Sequence, residues 1–220
     1  MSAALAGVLF DLDGTLCDTE TDWIAAEDDI AHEYGAQWTE ADALHIVGFD
    51  LYDSAEYVRQ RMGLPLTLDD TVSLMLDRVI ARVRARGVDW RPGAVELVAA
   101  CNDDGVPIAL VTSSHKPFVA AILEAMPLGS FDAVVTGDAV PNGKPAPDPY
   151  LLGAQALGVD PAQCVAIEDS PTGSQSAYAA GCAVIVVPNH VVVPLQAGMR
   201  EIRSLSGIKP EDLALFLAQR

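Results

Sequence analysis

The chain has 220 residues, half of them hydrophobic and a fifth charged, enough for one good-sized domain or a core carrying a smaller insert. Its formal net charge of −18 sets it against nucleic acid and anionic membrane surfaces, and neither is expected as a partner. No apolar run reaches the ~18 residues of a membrane span, and Met1–Gly7 lacks the basic start and apolar stretch of a signal peptide. Cys17, Cys101, Cys164 and Cys182 are scattered without paired spacing. They read as reduced, buried thiols of a cytoplasmic protein rather than disulfides or metal ligands.

Ala6–Phe10 is a short apolar run that ends abruptly in acids and a glycine, as a buried parallel strand would. From about Asp18 to Arg86 the pattern turns helical. Val72, Leu76, Val79, Ile80 and Val83 recur at helical spacing, and Trp23, Ile30 and Tyr34 do so more loosely. Strand-helix alternation resumes beyond Asp89–Gly93. Helices are expected at Ala94–Asn102, Phe118–Ala125, Pro149–Leu157 and Pro171–Ala180, and strands at Pro107–Val111, Ala133–Val135, Cys164–Ile167 and Ala183–Val187. Asp148 and Ser170, each before a proline, read as N-caps, and Gly181 as a helix stop. Pro188–Gly198 reads as a loop and Ser204–Gln219 as a last helix. The expected fold is α/β: a doubly wound, Rossmann-like parallel sheet formed by residues 1–17 and 87–220, with residues 18–86 inserted as an α-helical cap.

Four clusters fall at or just beyond expected strand ends, where ligands of doubly wound sheets bind. Asp11 and Asp13 are followed by Gly14 and Thr15. A carboxylate at Asp11 can attack phosphorus to form an acyl phosphate. Asp13 can then protonate the leaving oxygen and later deprotonate a water. Thr112, Ser113 and Ser114 offer hydroxyls and backbone N–H groups to a phosphate, although such a run is by itself common loop filler. Lys144 sits in the proline-stiffened segment Asn142–Pro149 and is one of only three lysines, with Lys116 and Lys209. It can neutralise charge on a transferring phosphoryl group.

Glu168 and Asp169 adjoin behind the strand Cys164–Ile167. Paired acids there suit a hard, oxygen-liganded cation such as Mg²⁺, with Asp11, the Asp13 carbonyl and Asp169 as ligands and Glu168 acting through water. A dipole-favoured acidic helix start would account for one of these acids but not both. A cation beside Lys144 also gives an acidic protein a locally positive floor for an anionic substrate.

In this order the four clusters resemble the haloacid dehalogenase superfamily over essentially the whole chain. The helical insert looks like the cap of the branch that contains β-phosphoglucomutase and phosphoglycolate phosphatases. The resemblance implies Asp11 as nucleophile, Asp13 as acid/base, Thr112 as phosphate binder, Lys144 as charge stabiliser, and Asp169 with Glu168 at Mg²⁺. It further implies a lid that excludes water and selects the substrate. Aligned on the first motif, this chain has Trp23 where the mutase has a cap-hinge histidine. Counting on from Gly48, it has Leu51 where the mutase has a phosphate-gripping arginine. Asp13 departs from true dehalogenases.

The expectation is a Mg²⁺-dependent phosphatase of a small phosphorylated metabolite resembling a sugar or polyol phosphate. A phosphosugar mutase and a catalytically silent binding relative are the alternatives, and none of the catalytic positions is eroded. Trp23, Asp22, Glu27, His45, Asp50, Tyr52 and Arg59 are candidate substrate-facing residues of the cap, most of them more readily explained by folding or solvation. The sequence fixes neither the substrate nor the oligomeric state, and a monomer satisfies every feature above.

Overall fold

The computed structural model describes residues 5–46, 49–127 and 129–219; Gly48 lies outside them. In chain order the elements are β1 (Gly7–Phe10), α1 (Glu20–Tyr34), α2 (Glu40–Ile46), α3 (Leu51–Met62), α4 (Leu68–Arg86) and α5 (Ala94–Asp103). There follow β2 (Ile108–Val111), α6 (Lys116–Glu124), β3 (Ala133–Val135), α7 (Asp148–Leu157) and β4 (Cys164–Glu168). The chain finishes with α8 (Pro171–Ala179), β5 (Ala183–Val186), β6 (Arg200–Glu201) and α9 (Pro210–Ala218). They form two compact units, one of Met1–Asp18, Asp89–Ser114 and Met126–Arg220, the other of Thr19–Val88 and His115–Ala125.

The first unit is built on a six-stranded, all-parallel sheet in the order β3-β2-β1-β4-β5-β6. This is the doubly wound α/β architecture expected from the alternation. The central strands β1, β2 and β4 are buried along their whole length. That is why they are continuous apolar runs: helices cover both faces of a parallel sheet and leave no solvent side for polar residues. On one face Leu9, Ala109, Val111, Ala166 and Val184 pack with Tyr150 and Ala154 of α7 and Ala177 of α8. Because β1 and β4 are adjacent in register, with Phe10 opposite Ile167, the acids that follow each strand emerge side by side.

Two local expectations change. Asp148 is the first residue of α7, with Pro147 in the cap position and no side-chain cap bond. Asp148 instead accepts a 2.9 Å hydrogen bond from the Asn142 side chain and ties the preceding loop. The exposed two-residue strand β6, which pairs with β5, was not anticipated, since Arg200 and Glu201 are too few and too polar to read as a strand. Ser170 caps α8 as expected, its hydroxyl accepting from Gly173 N at 3.1 Å.

The second unit is helical, without a strand among its described residues. Its core joins Ile30, Ala31, Ile46, Ala55, Val58, Met62 and Met75. On α4 the buried positions Val72, Met75, Val79 and Val83 follow the helical repeat, and Thr67 caps its start. Trp23 lies 5.2 Å, centroid to centroid, from Phe118 of α6, and Arg84 pairs with Glu124 of the same helix at 3.0 Å. Asp50 caps α3 by accepting from Tyr52 N and Asp53 N. Asp22 faces Arg86, Arg59 pairs with Glu56, and His45 packs on Tyr57 and Phe49. Among the described residues no helix is long and apolar enough to cross a membrane.

Candidate active site

The site lies in the first unit, at the carboxyl ends of β1, β2 and β4. Asp11 follows β1 directly, and its backbone N–H continues the ladder to Ile167 O of β4 at 3.0 Å. The chain then turns so sharply that Gly14 takes φ +87°. A side chain at Gly14 would collide with the Asp169 carboxylate as well, so both the turn and the close approach of the two loops require glycine there. Gly173, in helical conformation on α8, meets only the second requirement: a Cβ there would run into the Glu168 carboxylate.

Lys144 reaches into this acid cluster from the loop before α7. Its Nζ lies 2.6 Å from Asp11 Oδ1 and 2.6 Å from Glu168 Oε1, and the lysine side chain is only 5 % exposed. Glu168 Oε1 also accepts from the Tyr150 hydroxyl at 2.8 Å. Its Oε2 accepts from Asp169 N, Ser170 N and Ser170 Oγ at 3.1, 3.3 and 3.0 Å. Asp11 Oδ2, by contrast, is buried and has no hydrogen-bond partner among the described residues. Asp169 receives a long 3.5 Å contact from the Thr15 hydroxyl.

The hydroxyl cluster meets Asp13. Asp13 Oδ2 accepts from Ser114 Oγ at 2.6 Å and from Thr112 Oγ1 at 3.3 Å, and Thr112 Oγ1 in turn accepts from Ser114 N at 2.9 Å. Ser113, read from the sequence as part of the same cluster, is exposed. The structure therefore brings together Asp11, Lys144, Glu168 and Asp169, with Asp13, Thr112 and Ser114 as a second hydrogen-bonded group on the same pair of strand ends.

Three carboxylates face one ammonium here, and the electrostatics show the imbalance. Burial pushes Asp11 up to about 7; Lys144 opposes that rise, while Glu168 and Asp13 add to it. Asp169 is pushed up to about 8 by burial, then by Asp11 and Glu168. Burial alone would depress Lys144, but Asp11 and Glu168 outweigh it and hold the ammonium firmly protonated. Asp11, Glu168 and Asp169 each offer an oxygen, and these atoms all lie within 4.8 Å of one another. An oxygen-only donor set, excess negative charge and a buried, unpartnered Asp11 oxygen together fit a hard divalent cation.

Two residues at the site have no motif to announce them. Arg91 donates to Gly14 O, to Val187 O at 3.3 Å and to Pro188 O at 3.0 Å, stapling the turn after β1 to the chain beyond β5. Tyr150 lies fully buried beneath Lys144. Arg91 sits in the stretch where the alternation resumes, but its three carbonyl partners are distant in sequence. A lone tyrosine on a helix face reads simply as core.

Hexitol phosphatase A of Escherichia coli is 36 % identical over 194 residues, 82 % of each chain. Among solved structures, CbbY from Rhodobacter sphaeroides in complex with phosphate superposes with a TM-score of 0.80 at 27 % identity, covering 92 % of this chain and 96 % of that one. A β-phosphoglucomutase from Clostridium difficile shares the fold at TM-score 0.79 and 19 % identity, over 98 % of each chain. The family described as haloacid dehalogenase-like hydrolase matches residues 8–187, from the first strand to just past β5 and through all four clusters. The chain belongs to the haloacid dehalogenase-like hydrolases.

Proposed function

We propose that this hydrolase is a Mg²⁺-dependent phosphatase that cleaves a small phosphorylated metabolite, a sugar or polyol phosphate, through a phospho-aspartate on Asp11. The observation that carries the reading is the asymmetry of Asp11: Oδ1 is fixed by Lys144, while Oδ2 is buried, polar and unpartnered. In the first step an Asp11 oxygen forms a bond to phosphorus as the bond to the substrate oxygen breaks, and Asp13 gives its proton to that leaving oxygen. In the second, water attacks phosphorus, Asp13 takes the water's proton, and the Asp11–phosphorus bond breaks to release phosphate. Ser114 and Thr112 hold Asp13 in place for both transfers, and the Thr112–Ser114 turn supplies hydroxyls for the phosphoryl oxygens. Lys144 offsets the charge that spreads over those oxygens.

Asp11, Asp169 and the Asp13 carbonyl would hold Mg²⁺, with Glu168 beside them. When bound, the ion neutralises anionic charge on the cluster and on the phosphoryl group. The insert of residues 18–86 acts as the cap that selects the substrate. A hexitol phosphatase among the relatives favours a polyhydroxylated substrate. Four buried cysteines, none of them in a disulfide, favour a reducing, cytoplasmic setting.

The test is turnover of p-nitrophenyl phosphate and of a panel of hexitol and sugar phosphates. Wild-type activity should require Mg²⁺ and vanish with EDTA, and Asp11→Asn should reduce it to background with the fold intact. Turnover persisting in Asp11→Asn would remove Asp11 from the nucleophile's role. Bisphosphate-stimulated isomer interconversion would favour the mutase reading, against which Trp23 and Leu51 stand.

A further inference from the structure

Tyr150 meets the site at two points. Its hydroxyl donates to Glu168 Oε1, the same oxygen that accepts Lys144 Nζ at 2.6 Å. Its ring lies beneath the ammonium, with Nζ 5.1 Å from the ring centroid. The side chain has no solvent exposure and sits in the sheet core with Leu9 and Val111. A tyrosine that merely filled this volume would still need a partner for its hydroxyl. The particular partner matters, because Glu168 Oε2 is already taken by Asp169 N, Ser170 N and Ser170 Oγ. Among the described residues, Oε1 is left to Lys144 and Tyr150. A lysine ends in a compact charge on a flexible four-carbon stem, so it reaches a fixed position only if its surroundings impose one. Here Asp11 and Glu168 bind its protons, and an aromatic face attracts the cation from below.

We infer that Tyr150 is a positioning residue for phosphoryl transfer, acting through Lys144: its hydroxyl orients the Glu168 oxygen that anchors the ammonium, and its ring forms the floor under it. This rests on the reading of Lys144 as the group that stabilises the transferring phosphoryl. In that role a displaced ammonium weakens charge stabilisation in the transition state more than substrate binding.

The experiment compares wild type with Tyr150→Phe, Tyr150→Leu, Lys144→Met and the Tyr150→Phe/Lys144→Met double variant, using p-nitrophenyl phosphate with Mg²⁺ and thermal melting of each. Tyr150→Phe keeps the ring and should lower kcat about tenfold, the effect of one hydrogen bond to a charged group, with KM little changed. In the Lys144→Met background the same substitution should cost nothing further, since residues acting as a unit are not additive. A second readout needs no turnover. With only three lysines in the chain, the ¹⁵N-labelled side-chain ammonium of Lys144 can be followed by NMR. It should shift in Tyr150→Phe and lose its ring-current displacement in Tyr150→Leu.

Wild-type kcat with an unmoved Lys144 resonance in Tyr150→Phe would overturn the inference, as would losses that simply multiply in the double variant. If Lys144→Met shows no measurable turnover, the resonance decides. A wild-type protein inactive on every phosphate ester tested would break the phosphatase reading instead, while the resonance would still report whether Tyr150 places Lys144.

Discussion

Each of the two units holds a buried aspartate in a dense polar network, and the two networks are balanced in opposite ways. In the helical unit Asp42 accepts from Arg61 Nε at 2.7 Å and Nη2 at 3.0 Å, from the Tyr57 hydroxyl at 3.1 Å, and from Thr39 N at 3.0 Å and Oγ1 at 2.6 Å. Both carboxylate oxygens have donors, and Thr39, Arg61 and Tyr57 hold the carboxyl down at about 2. At the strand ends Asp11 and Asp169 gather with Glu168 around the ammonium of Lys144, and both are pushed up. A carboxylate matched by donors ties structure together. Carboxylates gathered in excess of their donors are relieved by taking up a proton or a further cation, and perturbed acids of that kind mark functional sites.

The comparison is broken most directly by neutralising one acid in each network. Asp169→Asn should abolish phosphatase turnover and yet raise the melting temperature of the metal-free protein, because it removes a buried like charge. Asp42→Asn should do the reverse, lowering the melting temperature while leaving turnover per folded molecule unchanged. Thermal melts in EDTA alongside the aryl phosphatase assay read both. If Asp169→Asn melted below wild type without metal, the strand-end cluster would be no less balanced than the Asp42 network.

Acid and metal provide a smaller, graded version of the same contrast. Asp11 and Asp169 have folded pKa values raised to about 7 and about 8, above the 3.8 of an unperturbed aspartate. The folded chain therefore binds protons that the unfolded chain has already released. Their stabilisation is full below pH ~4 and is lost as the pH rises through those folded values. Asp42 and Glu56, held at about 2, act with the opposite sign, and their contribution is lost only on acidification below pH ~4. In EDTA the melting temperature should rise as the pH is lowered from 8 toward 5. Mg²⁺ should flatten that slope and raise the whole curve, by about 2.7 kcal/mol at a hundredfold excess over its Kd. An equal pH slope with and without Mg²⁺ would detach the cation from these two acids.

The strand-end network was more legible in the sequence than the helical one, for a physical reason. A parallel strand buried on both faces must be an apolar run, so the acids just beyond it stand out, and the fold class followed from the alternation. Grouping by neighbourhood was less reliable. Thr112, Ser113 and Ser114 read as one hydroxyl cluster, but successive residues leave a strand end in different directions: Thr112 and Ser114 face Asp13, and Ser113 faces solvent. Asp148 before Pro149 looked like a cap, yet the helix starts one residue earlier than that pattern implies. Tyr150, Arg91 and the Asp42 network were hidden because each gains its meaning from partners far away in sequence. Arg61 and Asp42 are 19 residues apart, Arg91 and Gly14 are 77.

Glu27, on α1, lies between the two cases. It is only 5 % exposed, its Oε2 has no hydrogen-bond partner among the described residues, and Trp38 Nε1 is likewise without one. Burial pushes its carboxyl to about 8, against a weaker opposing effect of Trp38. Unlike Asp11 and Asp169 it belongs to no metal-holding acid group among the described residues, Asp28 being the one acid that acts on it, so its cost should depend on pH but not on Mg²⁺. Glu27→Gln keeps the shape and removes the ionisation. At pH 9, where the folded wild type has to carry the buried charge, the variant should melt a few degrees higher; the gain should shrink steadily as the pH falls below about 8 and vanish only near pH 4.5, where the unfolded chain's glutamate is protonated as well. Turnover should not change. A loss of turnover with no pH-dependent gain in melting temperature would instead place Glu27 with the strand-end acids, as a carboxylate left unpaired for a ligand and not merely tolerated by the helical core.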